Sequence, residues 1–213
     1  MPSNPSSASH LRPLLTRNRS TRDGPVIPII KHKDELTLST GRLHEGCGPA
    51  RRSLALWVAA HLTGPVMWVS PVWNRDRLHA DGIRDWIDPG RLLLVDAQRA
   101  EDVLWVMEEA LRSGAVPFVV GDLSGLPGLT QVRRMHLAAE TGGTHGIHSP
   151  LGLILTPDHG GAQGVETRWH LAPDHAAASG QWRLSRLRAR TAPPATWVIA
   201  RTQTQPALHI KAA

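Results

Sequence analysis

The chain has little cysteine and no long hydrophobic run, and each absence excludes a class of protein. Its single thiol, Cys47, cannot build an intramolecular disulfide framework or a cysteine-rich zinc site. No stretch of about 18 uninterrupted apolar residues occurs, which excludes a membrane-spanning helix. Residues 1–24 lack the apolar segment of a secretory signal. We therefore expect a protein of the reducing cytoplasm.

Charge is distributed unevenly along the chain. The 213 residues carry a formal net charge of +6, with 21 arginines against 3 lysines. Residues 1–55 contribute +5, residues 56–165 contribute −4 and residues 166–213 contribute +5. Basic ends are typical of contact with nucleic acid or an acidic partner. Two solvated, arginine-rich segments are the alternative interpretation.

Apolar runs alternate with helical stripes through the middle of the chain. Strands are expected at 65–70, 91–95 and 116–121, and helices at 52–62, 76–86, 100–111 and 130–141, the last ended by Gly142 and Gly143. This alternation predicts an α/β fold with a mostly parallel sheet flanked by helices. After Leu151, short strand-like segments predict antiparallel hairpins at the edge of that sheet.

Composition divides the chain into one domain and two tails. Residues 1–25 are rich in Ser, Pro, Asn and Arg, which predicts a disordered basic tail because few apolar side chains offset the entropy of ordering. We expect the folded domain to cover residues 26–203, with order beginning near Val26 or Leu36. Residues 204–213 are expected to form a C-terminal tail.

The segment that enters the first long helix reads GCGPARRS and resembles the phosphate-binding pattern G-x-x-x-x-G-K-[ST]. Gly46 and Ser53 match the pattern, and Gly48 adds a second glycine to the turn. Arg51 and Arg52 stand where the pattern has Gly and Lys. A side chain at the second position obstructs the backbone N–H groups that cradle phosphate, so the segment predicts a vestigial nucleotide site. A basic helix start after a glycine-rich turn is the alternative.

Asp122 ends the third apolar strand, where a carboxylate could hold magnesium. An aspartate at this place is also common as a turn or capping residue. No glutamate follows the strand at 65–70 to activate water, and Asn74 and Asp76 are the nearest polar side chains. The sequence therefore does not predict a complete set of residues for hydrolysis.

Other polar residues favour neither a metal site nor a nucleophile. The histidines and aspartate at His145, His148, Asp158 and His159 match no strong ligand spacing, so we expect no metal. In the arginine-rich segment at 182–190, alternation would place Arg186, Arg188 and Arg190 on one face of a strand. Three aligned guanidinium groups suit phosphates or partner carboxylates. A solvated sheet edge blunted by positive charge is the alternative.

Several segments in a fixed order resemble one known family. They are GRLHE at 41–45, the helix at 52–62, the strand at 65–70, RLLLV at 91–95, the stretch 100–122 with its EEALRSG core, and residues 133–143 and 182–200. Their order and spacing are similar to the ImuA family. These are RecA-like accessory proteins of bacterial damage-induced mutagenesis, also grouped with SulA-like division inhibitors.

The resemblance implies a RecA-like core and a set of partners. ImuA-family proteins act with ImuB, a catalytically inactive relative of Y-family polymerases, and with an error-prone replicative-type polymerase to copy past DNA lesions. RecA is a further candidate partner, and contact with DNA could be indirect. On the RecA pattern, residues 46–53 fall on the Walker A loop and Asp122 on the Walker B strand. Arg188 and Arg190 take the places of two basic residues that reach a neighbouring subunit's nucleotide.

The departures from RecA shape the functional hypothesis. The replaced Walker Gly and Lys, and a shortened region near 149–164, imply a chain that kept the fold and lost ATP hydrolysis. We expect a non-catalytic adaptor of translesion DNA synthesis with no resident cofactor. The alternatives are a DNA-stimulated ATPase that binds ATP and magnesium through Gly46, Arg52, Ser53 and Asp122, a SulA-like inhibitor of cell division, or simple DNA binding by the basic ends.

Overall fold

The computed structural model describes residues 25–31, 33–175, 180–201 and 207–211. Within them the chain forms these strands: β1 (Val26–Pro28), β2 (Thr37–Ser39), β3 (Arg42–Cys47), β4 (Val66–Pro71), β5 (Leu92–Ala97), β6 (Phe118–Asp122), β7 (Leu151–Thr156), β8 (Thr167–Pro173), β9 (Gln181–Ala189), β10 (Ala195–Ala200) and β11 (His209–Ile210). The α-helices are α1 (Arg51–Ala59), α2 (Ala80–Arg84), α3 (Ala100–Ser113) and α4 (Leu129–His145).

Nine strands form one sheet in the order β11-β10-β9-β8-β3-β7-β6-β4-β5, and β1 pairs with β2 in a separate hairpin. The six strands from β8 to β5 in this order run parallel. Strands β9, β10 and β11 continue the sheet by antiparallel pairing. The expected fold class, a mostly parallel sheet with C-terminal antiparallel strands, is confirmed.

Helices cover the two faces of the sheet. Helix α1 and the β1–β2 hairpin pack on one face, around Trp57 and Phe118. Helices α3 and α4 pack on the other face, around Met107 and Met135. Helices α3 and α4 each bury one apolar stripe, as their periodicity predicts. Helix α1 is buried more completely, at all six residues from 54 to 59. The sheet is therefore the middle of three layers, and the carboxyl ends of its parallel strands share one edge.

The central strand, β3, is the element that the apolar pattern missed. His44 and Glu45 are fully buried in it, so its sequence RLHEGC does not read as a core strand. Strand β7 also differs from the prediction of added hairpins, because it lies between β3 and β6 at the centre of the sheet. Parallel pairing joins residues far apart in the chain, which local periodicity cannot reveal.

Helix α4 does not end at Gly142 and Gly143 but continues to His145. Gly142 is buried where α4 approaches the end of α3, and a Cβ there would lie 2.0 Å from the Leu111 carbonyl oxygen. The glycine is therefore required for close helix packing, and it does not act as a helix stop.

The structure describes only part of the two segments that were predicted to be tails. The expected basic tail, residues 1–25, lies outside the described residues apart from Pro25. Strand β1 begins at Val26, and Ile29 and Leu36 are buried beside α1. Within residues 204–213, His209 and Ile210 pair with β10.

Candidate functional site

The GCGPARRS segment occupies the turn between β3 and α1. Gly46 lies within β3, residues 48–50 form the turn, and Arg51 is the first residue of α1. Arg52 and Ser53 follow in the first helical turn. Strand, turn and helix thus have the arrangement that a phosphate loop requires. The structure places Asp122 at the end of β6, close to the start of this helix.

The two arginines of the turn contact Asp122 directly. Arg52 Nε donates a hydrogen bond to Asp122 Oδ2 at 2.6 Å. Arg51 Nη2 lies 3.6 Å from Asp122 Oδ1, and Asn74 Nδ2 donates to Oδ2 at 3.4 Å. Asp122 is only 2% exposed. The structure therefore unites the residues of both predicted nucleotide motifs, but as an internal ion-pair network.

Backbone N–H groups of the turn are already engaged. Ala50 N donates to the Leu171 carbonyl at 3.0 Å, and Arg51 N donates to the Gly48 carbonyl at 3.2 Å. Gly48 has a φ of +91°, and a Cβ there would lie 2.6 Å from the Leu171 carbonyl oxygen. Gly48 thus allows the turn to pack against β8. A phosphate site needs several free backbone N–H groups that converge on the ligand, and the N–H groups of Ala50 and Arg51 already donate hydrogen bonds within the protein.

The polar groups at Asp122 do not suit a magnesium nucleotide. Magnesium requires carboxylate oxygens in an octahedral set of oxygen ligands. Oδ2 already accepts from Arg52, and two guanidinium charges beside it would repel a cation. Arg51 also places its side chain where the phosphate-binding pattern has glycine. The residues present therefore favour the ion pairs over bound ATP and magnesium.

A second buried network surrounds Glu45, which the sequence did not mark as important. Glu45 Oε1 accepts hydrogen bonds from Thr156 Oγ1 at 2.7 Å and from Gly161 N at 2.9 Å. Its Oε2 accepts from Arg168 Nε at 2.5 Å. Charge-assisted bonds of this kind compensate a carboxylate for complete burial. The network fixes the loop after β7 against β3. The sequence carries no clear signal for it, because the strand that contains Glu45 was not predicted.

Two histidines stack beside the turn. The rings of His159 and His170 are 5.0 Å apart, with 16° between their planes. Burial lowers the pKa of His170, and the neighbouring His159 lowers it further. Cys47 pairs with His170 across the sheet. Burial is the main cause that raises the pKa of the Cys47 thiol to about 12, and the charge of Glu45 is the second. The His170 ring and the Cys47 thiol are therefore neutral near pH 7.

The three arginines near the end of β9 do not form one exposed face, so that expectation is wrong. Arg186 is 7% exposed and donates to the Pro193 and Glu35 carbonyls, with its guanidinium over the Trp197 ring. Arg188 is exposed, and Arg190 lies 3.4 Å from Glu166. The cause is a β-bulge, since Arg168 pairs with Arg188 and Trp169 pairs with Arg186, leaving Leu187 as an extra residue.

The other candidate residues remain apart. His145 ends α4, and His148 N donates to the Gly114 carbonyl at 2.9 Å, whereas His159 stacks on β8. Among the described residues, no group of three or more histidine, cysteine or carboxylate side chains is arranged to hold a metal ion. No helix in the same part of the chain is long and apolar enough to cross a membrane.

Comparison with known proteins adds no relative. The chain matches no protein-family model, and no curated protein matches it significantly. The fold and the site alone therefore define the class of protein. It is an α/β protein with a turn that resembles a phosphate-binding loop, in which two arginines form ion pairs with a buried aspartate.

Proposed function

We propose that the protein is a non-catalytic adaptor of the translesion DNA synthesis machinery that binds an ImuB-like relative of Y-family polymerases. The supporting observation is the contact of Arg51 and Arg52 with Asp122. An ATPase of this architecture needs the same turn and carboxylate for nucleotide and magnesium. Here two guanidinium groups contact that carboxylate instead. The sheet remains complete, which suits a scaffold that presents surfaces.

The exposed edge of the sheet offers a surface for the partner. Among the described residues, strand β5 pairs with β4 alone, so its other side presents backbone N–H and C=O groups. Leu93 is 46% exposed and Leu94 is 59% exposed. Folded proteins normally protect such an edge with charges, proline or a bulge. An edge strand with exposed apolar side chains is suited to receive an extended segment of another chain.

Co-purification tests this proposal. The full chain, produced together with an ImuB-like partner, should retain that partner through affinity purification. The double variant Leu93→Glu and Leu94→Glu should lower retention at least about tenfold, because added carboxylates oppose desolvation of the edge. The matched control is Leu126→Glu with Leu137→Glu, which changes two exposed leucines elsewhere. A folded wild-type chain that never retains the partner, or equal loss in both variants, contradicts the proposal.

A nucleotide-binding measurement separates the adaptor from the ATPase. The adaptor predicts that ATP with magnesium leaves the melting temperature of the chain unchanged, since a ligand that binds only the folded state would raise it. Phosphate release that requires magnesium and disappears in Asp122→Ala would instead support the DNA-stimulated ATPase. That result would reject the adaptor as a purely non-catalytic protein.

A further inference from the structure

One face of the antiparallel strands is left open by the helices. Strand register places Trp169, Leu184 and Trp197 toward α1, in the core. The residues that alternate with them point to the opposite side, namely His170, Ala172, Arg183, Ser185, Thr196 and Val198. Helices α3 and α4 pack on that side over β3, β4, β6 and β7. Arg183 and Thr196 are accordingly exposed.

Positive charge lies along this open side. Arg183 lies on β9, the bulge turns Arg188 to the same side as Arg168, and Arg190 follows directly. We call Arg183, Ser185, Arg188, Arg190 and Thr196 the basic sheet face. Arg183 and Arg188 lie on β9 and Arg190 follows its last residue, so at about 3.3 Å per residue the three exposed arginines span about 23 Å.

The carboxylates near this surface leave it able to bind an anion. Asp174 Oδ2 lies 3.1 Å from Arg183, and Glu166 Oε2 lies 3.4 Å from Arg190. The arginines of both pairs are more than half exposed, so their guanidinium groups remain accessible to a phosphate from solvent. Arg188 makes no ion pair with any described residue. Glu45 is fully buried and is compensated by Arg168.

The polar groups of the basic sheet face suit phosphates better than bases. The hydroxyls of Ser185 and Thr196 lie 2.9 Å apart and share one hydrogen bond, which leaves the other O–H free to donate to an anion. The tryptophans of these strands, Trp169, Trp182 and Trp197, pack on the core side. The face therefore lacks the aromatic platforms on which bases stack in sequence-tolerant single-strand binding.

We propose that the basic sheet face binds the phosphodiester backbone of single-stranded DNA, without reading its bases. A single backbone follows a line, as these arginines do, and charge complementarity supplies the attraction. This inference is independent of the partner and of β5, because it uses the opposite end of the sheet. It gives the protein direct contact with nucleic acid.

Fluorescence anisotropy with a labelled oligothymidylate of about 20 nucleotides, at two or more salt concentrations, tests the proposal on the full chain. The variant Arg183→Gln, Arg188→Gln and Arg190→Gln should lower affinity about tenfold or more. It should also reduce the salt slope by about 2, since each lost single-strand phosphate contact removes about 0.7. The matched control changes three exposed, ion-paired arginines elsewhere, Arg77, Arg84 and Arg99, to Gln.

The control should retain affinity within about twofold, because it alters net charge equally without touching the face. Equal loss in the two variants would show general charge attraction and overturn the proposal. Unchanged binding by the face variant, binding tighter to a duplex of the same length, or no binding by the wild type would overturn it as well. Melting curves confirm that every variant is folded.

Discussion

At the residue scale, two ion pairs to Asp122 involve the turn at residues 46–53 that resembles a phosphate-binding loop. The Asp122 carboxylate is 2% exposed and needs positive charge or hydrogen bonds to remain buried. Arg52 supplies the close hydrogen bond, and Arg51 supplies a second charge at 3.6 Å. The same two side chains obstruct the turn. In the proposed adaptor, Arg51 and Arg52 thus stabilise the buried carboxylate and oppose nucleotide binding at the turn.

We expect this network to contribute measurably to stability. Arg52→Gln should lower the free energy of unfolding by about 2 kcal/mol, because it leaves a buried carboxylate with poorer compensation. A double-mutant cycle with Asp122→Asn should give a coupling energy of about 1–2 kcal/mol in urea unfolding. The same cycle on the exposed pair Arg84–Asp81 should give less than about 0.5 kcal/mol. Equal coupling in the two cycles would contradict the assigned role.

At the scale of elements, the contact between α3 and α4 depends on glycine. Gly114 ends α3 with a φ of +59°, and a Cβ there would lie 2.4 Å from the Gly142 carbonyl oxygen. Gly142 in turn lies against the Leu111 carbonyl. The backbones of α3 and α4 can therefore pack directly against each other. This contact fixes the end of α4, from which the loop to β7 begins.

Two neighbouring glycines of α4 should respond differently to alanine. Gly142→Ala should destabilise the protein by more than about 2 kcal/mol, since its Cβ would meet the Leu111 carbonyl oxygen at 2.0 Å. Gly143→Ala meets only the Ser149 hydroxyl at 3.1 Å and gains up to about 1 kcal/mol of helix propensity, so we expect little net change. Thermal and urea unfolding measure both, and a smaller effect at Gly142 than at Gly143 would refute the packing argument.

For the whole molecule, buried neutral histidines make stability depend on pH. Burial lowers the pKa of His44 from 6.5 to about 4, while its ring nitrogens lie 2.7 Å from Thr167 Oγ1 and 3.0 Å from the Ser39 carbonyl oxygen. Burial also lowers the pKa of His61, His136 and His170. Because the unfolded chain binds protons first as pH falls, it gains stability relative to the folded state.

We therefore expect full stability above pH 6.5 and a progressive loss toward pH 4. His44 alone should contribute a loss of up to about 3 kcal/mol over that window, at 1.36 kcal/mol per pKa unit. Urea unfolding at half-unit pH steps between 5 and 7 measures the slope before the carboxylates titrate. His44→Gln should reduce the slope, and His145→Gln, which changes an exposed histidine, should leave it as it was. An equal slope in both variants would rule out His44 as the cause.

Elements whose side chains pack locally could be predicted from the amino-acid sequence. Periodicity placed β4, β5, β6 and the cores of α1, α3 and α4, and their alternation gave the parallel sheet, because an apolar stripe must be buried against a neighbouring layer. The turn at residues 46–53 and the aspartate that ends β6 were also visible as motifs.

The way in which those elements combine became apparent in the folded chain. The tertiary structure placed β3 and β7 at the centre of the sheet and compensated buried Glu45 with Arg168, more than a hundred residues away in the chain. It joined Arg52 to Asp122, and the bulge at Leu187 separated Arg186 from Arg188. The physical reason is common to all four: each depends on strand pairing or on charge compensation between distant segments, and neither leaves a periodic trace in the local sequence.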